Sequence, residues 1–308
     1  MKKYFIITVD TEGDNLWKYH KGDDIRTDCA LYIPRFQELC NRYSFKPVYL
    51  TNYEMAKEER YVEYIKGIVD KGQCEVGIHV HAWNNPPICE LPQNICDQSY
   101  LIEYPDEIMR QKFKVTYELI KNNIGVAPFS HRAGRWAMDK QYFKILEEFG
   151  IKVDCSYSPH IDWSSTFGAM QGGTDYTRAK EHAHWVGNVF EIPATILDTG
   201  EKIHMGKKAK IKRWLHFKSI PHKIIWLRPA ASDLSSMKRV IDAIYQNEAM
   251  DFAEFMIHSS ELMPGGSPYF KDTEAIEQLY QTMDELFVYA REKGFVGCTL
   301  KEYYEQKN

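Results

Sequence analysis

Short β-rich apolar runs alternate with longer segments of helical period along the whole chain, and this alternation constrains the fold more than any other feature. The runs fall at 4–9, 47–50, 75–81, 129–133, 153–156, 189–192, 252–258 and 295–298. Helical segments are expected at 30–43, 58–71, 105–122, 140–149, 234–245 and 273–293. In the fourth of these, Tyr142, Phe143, Ile145 and Leu146 share one face and Gly150 follows as a stop. Such a pattern builds βαβ units around a parallel sheet or barrel. Without a repeat or a low-complexity linker, one domain spanning 1–308 is the simplest organisation. The stretches 83–104 and 162–188 are expected to be loops that shape a cleft.

With 308 residues, 44% of them hydrophobic, the chain can bury a large core. A formal net charge of -4 argues against a general nucleic-acid binder. The run after the N-terminal lysines is too short for a signal-peptide core, and no stretch reaches the length of a membrane span, so a cytoplasmic protein is expected. Seven cysteines without CxxC spacing are read as reduced thiols. One segment departs from the acidic background. Residues 202–228 carry lysines and arginines without an acid, interleaved with Trp214, Phe217 and Trp226. A solvated basic insertion is the favoured reading; contact with a membrane surface or an anionic carrier is the sharper one.

Several strand ends carry polar groups that core packing does not explain. In order they are Asp10-Thr11-Glu12, His79-Val80-His81, Arg132, Asp154 with Ser156, and His258. In a barrel such ends converge on one mouth. Asp10 and Glu12 stand two apart on a strand end, so one can bind a metal while the other works as a base. His79 and His81 likewise share a face, and both imidazoles can reach one cation. A lone His-x-His is more often a packed pair, but a carboxylate pair on a neighbouring strand favours ligands. His258 closes an apolar run and can give a proton to a leaving group, because its ordinary pKa lies near neutrality.

Taken together, these motifs resemble the polysaccharide deacetylases of carbohydrate esterase family 4, with their NodB-like homology domain, over nearly the whole chain. The resemblance implies an α/β fold, a distorted or incomplete (β/α) barrel of the glycoside hydrolase/deacetylase type. It implies Asp10 as the base, Glu12 and His79 as metal ligands after the Glu75-Val76-Gly77 run, and His258 as the acid. His131-Arg132-Ala133-Gly134-Arg135-Trp136 resembles the third motif. There Arg132 would orient the base, and the backbone near Trp136 would help hold the oxyanion. Asp154-Cys155-Ser156 resembles the run that lines the cleft. Trp83, Trp136, Asp154, Ser156 and His160 are the expected substrate-binding residues.

Two departures matter. The family's second histidine falls four residues after the first, where this chain has Trp83, so His81 must replace it or a ligand is lost. Position 11 is Thr where the family has a second aspartate, which leaves Glu12 as the metal carboxylate and Asp14 in reserve. The His-x-His-x-Trp motif and the segment from His258 to Gly266 resemble a subgroup associated with surface-polysaccharide synthesis. The implied reaction is metal-dependent deacetylation of an N-acetylated sugar, nucleotide- or lipid-linked. Zinc is the first expectation, and iron, cobalt or nickel suit the same ligands. Two alternatives remain open, an amidohydrolase of a small non-sugar amide and a carbohydrate-binding barrel without catalysis. Oligomeric state is left open.

Overall fold

The computed structural model describes residues 1–202 and 222–308. Most of the basic segment expected at 202–228 therefore lies outside the described residues.

Strand β1 (Lys3–Thr11) is buried along its whole length, as befits a continuous apolar run covered on both faces. It pairs in parallel with β2 (Pro47–Thr51) on one side and β10 (Phe252–His258) on the other. From β2 the parallel path continues through β3 (Glu75–Val80), β4 (Ser130–Ala133), β5 (Val153–Asp154) and β7 (Val189–Glu191). Antiparallel β6 (His184–Val186) ends that edge, while β11 (Phe295–Gly297) pairs with the start of β1. A separate antiparallel pair, β8 (Ile196–Lys202) and β9 (His222–Trp226), stands in the gap. Contacts there run from Leu227 N–H to the Thr195 carbonyl and from Met256 N–H to the Leu227 carbonyl. The sheet curls without closing and forms an incomplete (β/α) barrel, as expected.

Helices α1 (Ile33–Arg42), α2 (Glu59–Val69), α3 (Asp106–Ile124), α4 (Lys140–Glu148), α5 (Leu234–Gln246) and α6 (Thr273–Glu292) follow the expected periodic segments. Local chemistry sets their ends. Asp139, Asp233 and Asp272 cap α4, α5 and α6 by accepting backbone N–H groups, and Gly125 closes α3 in the left-handed region. A short α7 (Leu300–Lys307), absent from the sequence expectation, starts with a Thr299/Glu302 capping box. Among the described residues no helix is long and apolar enough to cross a membrane.

Alternation along the strands separates two cores. Outward residues such as Phe5, Ile7 and Val9 pack against the helices. Inward residues Tyr4, Ile6, Val48, Leu50, Val153, Cys155 and Phe252 meet Leu300 and Tyr303 of α7, which plugs the N-terminal end of the barrel. All chemistry lies above that plug.

Candidate active site

Going up the inner face of β1, the side chains change from Tyr4 and Ile6 to Thr8 and then Asp10. On β10 they change from Phe252 to Glu254, Met256 and His258. Register pairs Thr8 with Met256 and Asp10 with His258. Arg132, on the inner face of β4, is completely buried, with Nη1 2.7 Å from Asp10 Oδ1 and Nη2 2.7 Å from Glu254 Oε1. Thr8 Oγ1 donates to the same Glu254 oxygen. A charged layer, closed from below by the apolar plug, thus supports the strand ends.

Above this layer Glu12, His79 and His81 bring one ligand atom each within 4.8 Å of one another, all buried. His81 Nε2 lies 2.6 Å from Glu12 Oε2 and 3.1 Å from His79 Nε2, and His79 Nε2 is 3.5 Å from Glu12 Oε2. His79 donates its Nδ1–H to the Arg132 carbonyl at 2.8 Å, the tautomer that leaves a lone pair on Nε2 facing His81. A divalent ion with bonds of about 2.1 Å sets tetrahedral ligand atoms about 3.4 Å apart, so the three groups need to spread by about 1 Å or less to accept it. The donor set of two imidazoles and one carboxylate fits zinc and its neighbours. The site's field also favours a cation. Burial alone would lower the His79 pKa, but Asp10 and Glu12 outweigh it and raise it. Glu12 is held well below the carboxylate range, because His81 and His258 overcome the opposing effect of burial.

Gly134 lets β4 approach this closely. A Cβ there would stand 2.4 Å from the Val80 carbonyl oxygen and 2.9 Å from His81 Nδ1. Trp83 packs its ring 4.2 Å from that of His81, so the residue where the family has a ligand buttresses one instead.

Asp10 is nearly buried, yet its pKa is lowered; burial pushes it up, and Arg132, then His79 and His258, push it further down. The carboxylate stays ionised beside the three-ligand group. His258 Nε2 stands 3.8 Å from Asp10 Oδ2 and 3.9 Å from Glu12 Oε1. Its Nδ1 lies 3.0 Å from Arg228 Nη2, a donor, and 3.3 Å from Glu261 Oε2, an acceptor, so Nδ1 has a partner whether or not it carries a proton, and Nε2 is the nitrogen that faces Asp10 and Glu12. Glu261 binds the same arginine at 3.0 Å and accepts the His258 backbone N–H at 2.8 Å. Burial would raise the Glu261 pKa, but Arg228 and His258 bring it to about 2.

These groups open into a cleft of about 340 Å³ walled by Leu16, Trp17, Trp83, Tyr100, Trp136, Trp163 and Tyr269. Trp136 and the preceding Arg135 both adopt left-handed backbone angles, with φ of 64° and 54°. Strain of this kind, about 1–3 kcal/mol per residue, persists only where the surroundings impose it. Here the Tyr176 hydroxyl donates to the Trp136 carbonyl at 2.7 Å.

Of the residues expected from sequence, Asp10, Glu12, His79, His81, Trp83, Trp136 and His258 line this cleft, with Arg132 directly beneath. Asp154, Ser156 and His160 do not line it. Asp154 follows the inward Val153 and precedes the inward Cys155, so strand parity turns it to the outer face, where it accepts from His131 Nδ1 at 2.7 Å. Ser156 bonds Asp154 and the Ala133 N–H, and His160 turns to Glu181 at 2.6 Å. Sequence reasoning missed Trp17, Arg228, Glu254, Glu261 and Tyr269. Glu254 had a legible signal, a carboxylate within an apolar strand on the same face as His258.

Several solved structures are similar to this chain in fold. A 4-alpha-glucanotransferase from Thermococcus litoralis is 12% identical, with a TM-score of 0.56 over 99% of this chain and 41% of its own. The Xyl-CE4 domain of a multidomain xylanase from the hindgut metagenome of Trinervitermes trinervoides is 11% identical, with a TM-score of 0.49 over 100% of this chain and 92% of that one. A CE4 family pseudoenzyme from Bacillus anthracis is 11% identical, with a TM-score of 0.48 over 98% and 65%. This chain thus spans less than two thirds of the length of the glucanotransferase and of the pseudoenzyme. At these identities the likeness is one of fold. No protein-family model matches the chain, and no curated protein matches it in sequence.

Proposed function

We propose that the chain is a metal-dependent deacetylase of an N-acetylated sugar, acting on a nucleotide- or lipid-linked intermediate of surface-polysaccharide synthesis in the cytoplasm. One observation carries this reading: Glu12, His79 and His81 converge beside an ionised Asp10 and within reach of His258. The motif resemblance to carbohydrate esterase family 4 supports the same roles. A divalent cation held by Glu12, His79 and His81, zinc first, would supply Lewis acidity to polarise the acetamide carbonyl and acidify water.

The chain's own groups do the proton work. Asp10, kept ionised by Arg132, takes a proton from the attacking water. His258 acts as the imidazolium, with Glu261 Oε2 accepting its Nδ1–H at 3.3 Å; it gives the Nε2 proton to the departing amine and is left as the neutral imidazole. The resemblance assigns the developing oxyanion to the backbone near Trp136, at the left-handed turn of residues 135 and 136. Indole faces of Trp83 and Trp136 pack the sugar ring.

Acetate release from N-acetylhexosamine substrates by protein purified without a chelating tag tests the reading. Release that chelation stops and zinc restores is the expected result. If acetate never appears while the sugars still bind, the site belongs to a binding barrel; if only small non-sugar amides are cut, to an amidohydrolase of that class.

A further inference from the structure

The cleft holds a cation that the reaction above does not use. Arg135 lines it with a half-buried side chain, stacked 4.3 Å over the Tyr100 ring. Its partners are both neutral carbonyls, those of Gln98 and of Phe167, the latter at 2.9 Å. No carboxylate of the described residues lies within 4.0 Å of it. The other arginines of the site are matched by acids: Arg132 by Asp10 and Glu254, Arg228 by Glu261. A guanidinium carries five N–H donors, and the two carbonyls leave the rest unused. The left-handed backbone at Arg135 and Trp136 aims this unpaired charge into the same cleft as the indole.

A half-buried positive charge stacked on a phenol ring, with no carboxylate of the described residues within 4.0 Å, is costly to keep unless the bound molecule supplies the anion. We propose that Arg135 recognises a negatively charged group on the sugar bound in this cleft. The guanidinium fork suits a phosphate or a carboxylate equally. This inference deepens the deacetylase reading and rests on it for the identity of the sugar, but it is tested separately by binding.

The experiment measures the affinity of the zinc-loaded full chain for three probes. They are the methyl glycoside of N-acetylglucosamine, N-acetylglucosamine 1-phosphate, and a disaccharide of N-acetylglucosamine with glucuronic acid. Calorimetry should find at least one anionic probe bound about tenfold tighter than the neutral glycoside or better. Arg135→Gln should remove that advantage and leave the neutral affinity in place, while Arg135→Lys recovers part of it. A preference for the phosphate alone assigns a phosphorylated sugar; one for the glucuronide alone assigns an acidic oligosaccharide. Equal affinity for all three probes would overturn the inference, as would an anionic preference that survives Arg135→Gln. If the preference holds but no probe loses acetate, the deacetylase reading fails and the anion site stands.

Discussion

One sheet carries two buried clusters of imidazole and carboxylate, one on its inner face at the ends of β1 and β3 and one on its outer face across β4, β5 and β7, and the two are built for opposite ends. On the inner face, Glu12, His79 and His81 turn lone pairs toward one point, with Asp10 and Arg132 beneath and a cleft above. On the outer face, His131, Asp154 and Glu191 follow one another in register across β4, β5 and β7, sealed beneath α4. There His131 bridges Asp154 at 2.7 Å and the Tyr142 hydroxyl at 2.8 Å. Asp154 has a lowered pKa despite its burial, through His131. Glu191 is pushed well above the carboxylate range by burial and by Asp154, so the two carboxyls share one negative charge. The outer cluster is a closed net that resolves its own charge, whereas the inner one concentrates charge that a cation would settle. Residue composition does not separate them; strand parity and access do.

Removing a ligand should break this contrast most severely. His81→Ala is expected to lose its zinc by mass spectrometry and to bring acetate release to the blank while the far-ultraviolet spectrum stays native. Asp10→Asn should keep the metal and lose about 10²–10⁴-fold in kcat/KM, since a general base is worth that much. Metal loss in this variant would mean that Asp10 is a ligand instead.

The outer cluster should respond in stability alone. Asp154→Ala leaves His131 and Ser156 without their acceptor, at a cost of about 1–3 kcal/mol in urea denaturation. The folded fraction should keep both its metal and its kcat/KM; a fall in either would tie the outer net to the reaction. Glu191→Gln is the mildest change, because the protonated acid and the amide are both neutral. It should shift stability by about 0.5 kcal/mol or less at acidic pH, below the ordinary carboxylate range, where residue 191 is neutral in both folded and unfolded chains, and should make the amide variant the more stable of the two as pH rises. Its effect on pH dependence is more telling. A raised folded pKa means that the native chain binds a proton the unfolded chain has released, so stability falls as pH rises from the ordinary carboxylate range toward the raised value. The amide should flatten that slope; an unchanged slope would remove Glu191 as its source.

Much of the fold was legible because buried parallel strands read as apolar runs and amphipathic helices read by their period. What escaped has physical reasons. Strands β6 and β8 are short or half-exposed and lack a continuous apolar run, β9 falls inside the stretch read as a basic insertion, and α7 is a single amphipathic stretch at the chain end. In the site, the paired spacings Asp10/Glu12 and His79/His81 survive as a shared face, so sequence alone could bring them together. Asp154 was assigned to the cleft by its place at a strand end, and one residue of parity turned it away. Arg228 and Glu261 were hidden because their meaning arises only where the end of a basic stretch meets a turn after β10. Trp17 belongs to the turn after β1 and is placed by contacts distant in sequence, its indole N–H donating to Ser260 Oγ at 3.0 Å and its ring lying 4.9 Å from that of His258.

The central claim is that the inner cluster holds one cation, and a crystal structure of the full chain soaked in zinc tests it most directly. Anomalous scattering should place a single strong peak between Glu12 and the Nε2 atoms of His79 and His81, with bonds of about 2.0–2.2 Å. A peak elsewhere would contradict the account. So would an empty centre in which the two imidazoles remain bonded to each other and to Glu12.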